Sequence, residues 1–275
     1  MHGALFTTLL LLQTNAAYHS PASGPAVGYA MPIGGGEVGP EILNRFAKLA
    51  GGLDAPIVVI PTAGDHDTYA DSALDRHPLR KHGFTRLTLL HTRDRNVADT
   101  EAFAAPIKKA SAVWFDGGRQ WRLVDSYLNT RTHRELDALL ARGGIIAGSS
   151  AGATIQGSYL VRGAREGNTV MMAKGYEQGL GFLNFMAIDQ HLIKRKREND
   201  MLQVIALKPE ILGVGLDEGT AILVHGTKAE VLGVSKAAIY DANFGAGPDG
   251  KAYYFLSPGD CFDIAKRKQI ACGAN

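Results

Sequence analysis

Apolar residues along this chain fall in short unbroken runs that stop at glycine-rich breaks, and between the runs lie longer stretches with helical spacing. The runs near residues 26–33, 55–61, 86–91, 112–115 and 145–147 are rich in Val, Ile, Ala and aromatic residues. A strand covered on both faces reads this way, whereas a half-exposed strand alternates apolar with polar positions. The helical stretches begin with residues 41–50, which place Ile42, Leu43, Phe46 and Leu49 on one face. Others follow near residues 68–82 and 98–109, around Leu123, Val124 and Leu128, and at 133–140. Alternating strand, turn and helix of these lengths predicts an α/β fold with a doubly wound, mostly parallel sheet that binds ligands at the carboxyl ends of its strands. Further strand-like runs occur at 187–191, 211–218 and 221–224. From Glu230 onward short strands and turns dominate, predicting an antiparallel C-terminal extension of the main sheet. No internal repeat or low-complexity block interrupts the pattern, and residues 27–275 read as a single domain.

Candidate chemistry concentrates where the run Ile145-Ile146-Ala147 breaks into Gly148-Ser149-Ser150-Ala151-Gly152-Ala153. Gly148, Ser150 and Gly152 fit G-x-S-x-G, a strand-to-helix elbow that exposes a serine where the backbone passes too close for side chains at the flanking positions. Ser150 then sits at a helix start, with the Ala151 N–H able to face an oxyanion. The pattern also fits a plain Gly/Ser turn in which Ser149 or Ser150 caps a helix. Two other strand ends strengthen the first reading. Asp116-Gly117-Gly118-Arg119-Gln120 offers backbone N–H groups from Gly117 or Gly118 for the same oxyanion, and a side chain, Gln120, for a substrate. Ala187-Ile188-Asp189-Gln190-His191 ends with a histidine in the region where the serine should emerge, followed by the basic run Lys194-Arg195-Lys196-Arg197. Gly34-Gly35-Gly36 lacks the spacing of a dinucleotide site and reads as a tight turn under the active site. Asp65-His66-Asp67 has no partner cluster with metal-ligand spacing and reads as a solvated loop.

Composition narrows the classes without choosing among them. A net charge of +2 over 275 residues, with no basic arm, gives no reason to expect nucleic acid. The apolar run at residues 4–12, with small and polar residues up to Ala17, resembles the core and cleavage zone of a secretory signal and is too short to span a bilayer, although residues 1–3 carry no Lys or Arg. On that reading residues 1–17 are a signal peptide, 18–26 a linker, and the protein is secreted or periplasmic; without it the protein is cytoplasmic. Cys261 and Cys272 could bridge a terminal hairpin in an exported protein, or be two unrelated thiols.

With these residues in place, the sequence closely resembles the cyanophycinase family of serine peptidases, relatives of the alpha-aspartyl dipeptidases. The similarity rests on Phe115-Asp116-Gly117-Gly118-Arg119-Gln120, Gly148-Ser149-Ser150-Ala151-Gly152-Ala153, Ile188-Asp189-Gln190-His191 and Gly213-Val214-Gly215-Leu216-Asp217-Glu218, in family order over about residues 27–265. The resemblance implies a flavodoxin-like fold of the class I glutamine amidotransferase type, Ser150 as nucleophile and His191 as general base. It further implies Glu166 as the carboxylate orienting the histidine, with Glu177 in the same interval, and a substrate pocket lined by Gln120, Asp189, Gln190, Arg195 and Arg197. Cyanophycinases commonly carry a further arginine where this chain has Glu198-Asn199-Asp200. The expected activity is exopeptidase hydrolysis of aspartyl peptides, beta-Asp-Arg units foremost, with alpha-aspartyl dipeptidase activity as the alternative. No metal, organic cofactor, nucleic acid or membrane partner is expected, and a homodimer is compatible with the reading. An esterase of the α/β-hydrolase type would place its histidine much nearer the C-terminus. A non-catalytic binding protein of the same fold would leave Ser150 unreactive.

Overall fold

In the computed structural model, residues 21–246 and 250–273 are described; the signal-peptide reading of residues 1–17 lies outside them. The first half of the chain is β1 (Tyr29–Ile33), α1 (Pro40–Ala50), β2 (Ile57–Ile60), α2 (Pro78–His82), β3 (Leu87–Leu89), α3 (Arg95–Ala98), α4 (Glu101–Lys109), β4 (Ala112–Phe115), α5 (Gln120–Tyr127), α6 (Arg131–Ala141), β5 (Ile145–Ser149) and α7 (Ala151–Thr154). Its five strands lie parallel in the order β3-β2-β4-β5-β1. The apolar runs of β1, β2, β4 and β5 are buried on both faces, as the pattern predicts, whereas β3, at the sheet edge, is only partly buried, with Thr88 exposed. One face packs Ile42 and Phe46 of α1 against Met31, Val59 and Trp114. The other packs Ile107, Leu123, Leu136 and Leu139 against Val58, Val113 and Ile146.

Local chemistry divides two helices that spacing alone joined. The stretch at 68–82 is a 3-10 turn, Asp71–Arg76, followed by α2. Pro78 disfavours helical backbone at the residue before it, and His77 is extended, with its ring Nδ1 accepting the Leu79 N–H. The stretch at 98–109 is likewise α3 and α4, because Thr100 is extended and caps the second with its hydroxyl on the Phe103 N–H.

The second half is β6 (Gly157–Tyr159), β7 (Leu183–Gln190), α8 (Leu202–Leu207), β8 (Leu212–Leu216), β9 (Thr220–His225), β10 (Lys228–Gly233), β11 (Ala237–Tyr240), β12 (Tyr254–Leu256), β13 (Cys261–Asp263) and β14 (Lys268–Ile270). Here the expectation of one extended sheet needs correction. The strands β9, β10, β13 and β14 do extend the first sheet antiparallel from β1. A second sheet, ordered β12-β11-β8-β7-β6, is separate, and β6, β7 and β8 in it are parallel. Its inner face, with Met186, Ile188, Leu212 and Val214, packs on Ala30, Ile222, Val224 and Val231 of the first. Its outer face is covered by Met201, Val204 and Ile205 in and beside α8.

The linker reading of residues 18–26 is also corrected where the chain is described. Ala22 is buried, Ser23 pairs with Asn184 of β7, and the Gly24 N–H donates to the Gly226 carbonyl. Cys261 and Cys272 form a disulfide that closes the β13–β14 hairpin.

Candidate active site

Register brings the chemistry to one edge. In the first sheet Gly148 of β5 lies opposite Pro32 of β1 and Phe115 of β4, so the chain leaves three neighbouring strands at Gly34, Asp116 and Ser150. In the second sheet Gln190 of β7 lies opposite Leu216 of β8, so His191 and Asp217-Glu218 also leave neighbouring strands together. The two sets are stitched by the His191 N–H donating to the Gly34 carbonyl at 2.8 Å, while within the first set the Ser150 N–H donates to the Ile33 carbonyl at 2.9 Å.

Ser150 has φ 56° and ψ −110°, a strained conformation for a residue with a side chain. The turn is held by close approach: a Cβ on Gly148 would lie 2.3 Å from the Gly152 carbonyl oxygen, and one on Gly152 would lie 2.4 Å from that of Phe115. Ser150 Oγ lies 2.9 Å from His191 Nε2, and His191 Nδ1 lies 2.6 Å from Glu218 Oε1. Because a carboxylate only accepts, the Nδ1 proton is directed at Glu218, leaving Nε2 free to accept from the serine hydroxyl. His191 itself has φ 52° and is buried. Burial lowers its pKa from the ordinary imidazole value, opposed by the hydrogen bond to Glu218 and reinforced by the positive charges of Arg195 and Arg197. The shift favours the neutral ring, the form a general base needs.

The triple glycine is the seat of this pair. A Cβ on Gly35 would lie 2.3 Å from His191 Cε1, and one on Gly36 would lie 2.8 Å from a Glu218 carboxylate oxygen. Asp217 holds the chain just past His191, its Oδ1 accepting the N–H groups of Ile193 and Lys194 and its Oδ2 the Ser235 hydroxyl. Of the oxyanion donors expected from sequence, Gly117 lies beside the serine, where an added Cβ would be 3.3 Å from Ser150 Cβ, and the N–H groups of Ala151, Gly117 and Gly118 have no acceptor among the described residues.

Two expectations are not met by the geometry. Glu166 is exposed and makes no hydrogen bond to His191, and Glu177 accepts from the Tyr159 hydroxyl instead. The carboxylate on the imidazole is Glu218, the last residue of the Gly213–Glu218 motif, for which the family resemblance implies no role. Its signal was there: His191 and Glu218 stand one and two residues past the ends of strands that, once paired in parallel, finish level. Asp189 does not reach a substrate either, because it is fully buried and holds Arg162, a 1 % exposed guanidinium, through Nε at 2.7 Å and Nη2 at 2.8 Å. Arg162 Nη2 also donates to Asp200 at 2.7 Å, so the acidic segment Glu198-Asn199-Asp200 gives the buried guanidinium a second carboxylate.

The remaining residues expected in the pocket differ in burial and in partners. Arg197 is buried, donates to the backbone and side-chain oxygens of Gln190, and forms no ion pair with a carboxylate of the described residues. Burial and the neighbouring guanidinium of Arg162 push its pKa down to about 10, with Asp189 opposing. Arg195 is exposed nearby, and Gln120, the first residue of α5, is buried with its Nε2 lacking a partner. Asp65 and Asp67 pair with Arg122 and Arg93, as expected of a solvated loop.

Comparison with known proteins fits this geometry. Residues 33–232 match the model of peptidase family S51. The chain belongs to that family. It is a serine peptidase, and its relatives include a cyanophycinase of Geminocystis herdmanii, 32% identical over 217 residues that span 76% of this chain and 79% of that protein. Another is a cyanophycinase of Synechococcus elongatus, 30% identical over 257 residues, 86% of this chain and 79% of that protein. Among solved structures, a peptidase from an acI-B1 Actinobacterium superposes with a TM-score of 0.66 at 21% identity, covering 87% of this S51 peptidase and 98% of that chain, and so shares its fold. Among the described residues no helix is long and apolar enough to cross a membrane.

Proposed function

We propose that this S51 peptidase hydrolyses aspartyl peptides of the cyanophycin type through an acyl-enzyme on Ser150, with His191 as base and Glu218 as its orienting carboxylate. The observation that carries the mechanism is the unbroken chain of contacts from Ser150 Oγ through both ring nitrogens of His191 to Glu218. His191 takes the serine proton as Oγ attacks the scissile carbonyl, and Glu218 stabilises the imidazolium that forms. The N–H of Ala151 and one from Gly117 or Gly118 receive the developing oxyanion, each such donor contributing about 3–4 kcal/mol in comparable enzymes. The imidazolium then protonates the leaving amine, and a water attacks the acyl-enzyme by the same route in reverse.

The substrate class is supported by the cyanophycinase relatives and by the buried Arg197, whose charge meets no carboxylate among the described residues. A buried guanidinium without an anion is costly, and a substrate carboxylate offsets that cost with charge-assisted hydrogen bonds. Gln120 Nε2, buried and unpaired, is a second donor for the same group. We place the protein outside the cytoplasm, on the support of the Cys261–Cys272 disulfide and the leader-like residues 1–17. The test is mass spectrometry of products from a panel of beta-Asp-Arg and alpha-aspartyl peptides, with fluorophosphonate labelling mapped to Ser150. Equal rates on peptides lacking the aspartyl carboxylate, or labelling elsewhere, would remove the reading.

A further inference from the structure

Gln190 ends β7 and Arg195 and Arg197 follow it, yet a wide recess beside the nucleophile lies against the other strand ends. It is a cleft of about 800 Å³ bounded by Ser149, Gly117 and Gly36, the first two flanking Ser150 and the third lying against Glu218. None of the residues discussed above as an anion site lines it. A peptidase must seat chain on both sides of the scissile bond, and a recess lined by the residues beside Ser150, on the side away from Arg195 and Arg197, offers room for the other flanking unit.

The chemistry of the recess is specific. Asp116 Oδ1 accepts the Trp114 indole N–H at 3.1 Å and lies 2.9 Å from His77 Nε2. His77 Nδ1 is committed as an acceptor for the Leu79 N–H, so its proton resides on Nε2 and is donated to Asp116. Two rigid donors thus fix one carboxylate oxygen while Oδ2 accepts from no described residue, on a side chain that stays 30% exposed. At the rim, Arg76 and Lys81 are exposed, and neither side chain has a partner among the described residues. One oriented acceptor inside and two free cations outside form the complement of a zwitterion with a long arm.

Resting on the reading in Proposed function, we infer that this cleft binds the arginyl arm of one of the two beta-Asp-Arg units flanking the scissile bond, its guanidinium on Asp116 and its carboxylate on Arg76 and Lys81. In such a unit the arginine amine is acylated, so the arm keeps both a guanidinium and a free carboxylate. Asp116 is therefore a specificity residue for the arm, separate from the arginines that take the aspartyl carboxylate.

The experiment uses the full-length protein and peptides of two linked aspartyl units whose arms are arginine, citrulline, which keeps the shape and carboxylate without the cation, or agmatine, which keeps the cation without the carboxylate. The wild-type protein should prefer arginine to citrulline by at least about tenfold in kcat/KM, the fold-change expected of a charge-assisted hydrogen bond. Asp116→Asn, which keeps the side-chain shape, should bring that ratio close to one, mainly through KM. Arg76→Ala combined with Lys81→Ala, both on the surface, should bring the arginine-to-agmatine ratio close to one and keep the arginine-to-citrulline preference. Hydrolysis with the arginine preference intact in Asp116→Asn would overturn this inference alone. Failure of the wild-type protein to hydrolyse any of the peptides would remove the proposed function and the inference with it.

Discussion

Ser150 and His191 both occupy left-handed backbone, a conformation that costs side-chain-bearing residues about 1–3 kcal/mol each and persists only where the surroundings over-determine it. Their positions were legible because each ends an apolar run with a residue type whose chemistry is scarce there. The partner of the imidazole was not, since a carboxylate is identified by what it faces, and Glu166 and Glu218 look alike along a chain. Glu218→Gln should therefore lower kcat by about 10³–10⁴-fold, while Glu166→Gln should leave kinetics within about twofold of wild type; steady-state rates on one aspartyl peptide compare them. The pH profile gives a second check. Burial and the charges of Arg195 and Arg197 lower the pKa of His191, which keeps the base neutral to lower pH than a free imidazole. The acid limb of kcat/KM should fall below pH about 6.5. Arg195→Gln removes one of the charges opposing protonation, so the limb should move to higher pH. A limb that stays put, or moves down, would show that Arg195 does not act on the base.

Among the elements, the loop after β1 does the most positional work for its size. Gly35 has φ 111° and passes so close to the imidazole that a methyl group cannot enter without moving the ring. Gly35→Ala should cut kcat far more than it changes KM, with circular dichroism retained, because the displaced group is the base and not the pocket. The same scale explains where periodicity misjudged boundaries. Pro78 and Thr100 each carry a local signal that overrides helical spacing, one by restricting the residue before it and the other by capping. Buried Arg162 ties the strand carrying the base to residue 200 and to the carbonyl of Asn168. Removing one partner of a buried ion pair strands the other, so Arg162→Leu should cost about 3–5 kcal/mol in denaturant unfolding.

At the scale of the whole molecule, the parallel sheet was legible and the second sheet was not. Strand β8 is an apolar run buried on both faces, just as β2 and β4 are, and β7 is buried from Met186 onward; nothing in such a run says which sheet it joins. The terminal disulfide closes a short loop on the first sheet, and a loop of that length stabilises by roughly 2–3 kcal/mol through the unfolded chain. Cys272→Ser should lower the free energy of unfolding by that amount, with kcat nearly unchanged, since the hairpin β13–β14 lies at the far edge from β3 and away from the serine.

Ser150 leaves one sheet and His191 the other, so the proposed nucleophile and its proposed base meet across the seam between them. A hydrogen bond spanning that seam is a gauge of the slippage between two slabs: a glide of about an ångström takes a serine hydroxyl out of hydrogen-bond range while every strand keeps its neighbours. Mild denaturant or moderate heat should thus silence the enzyme before the far-ultraviolet dichroism changes. Fluorophosphonate reactivity of Ser150, followed across the same titration, would trace the loosening of the seam directly.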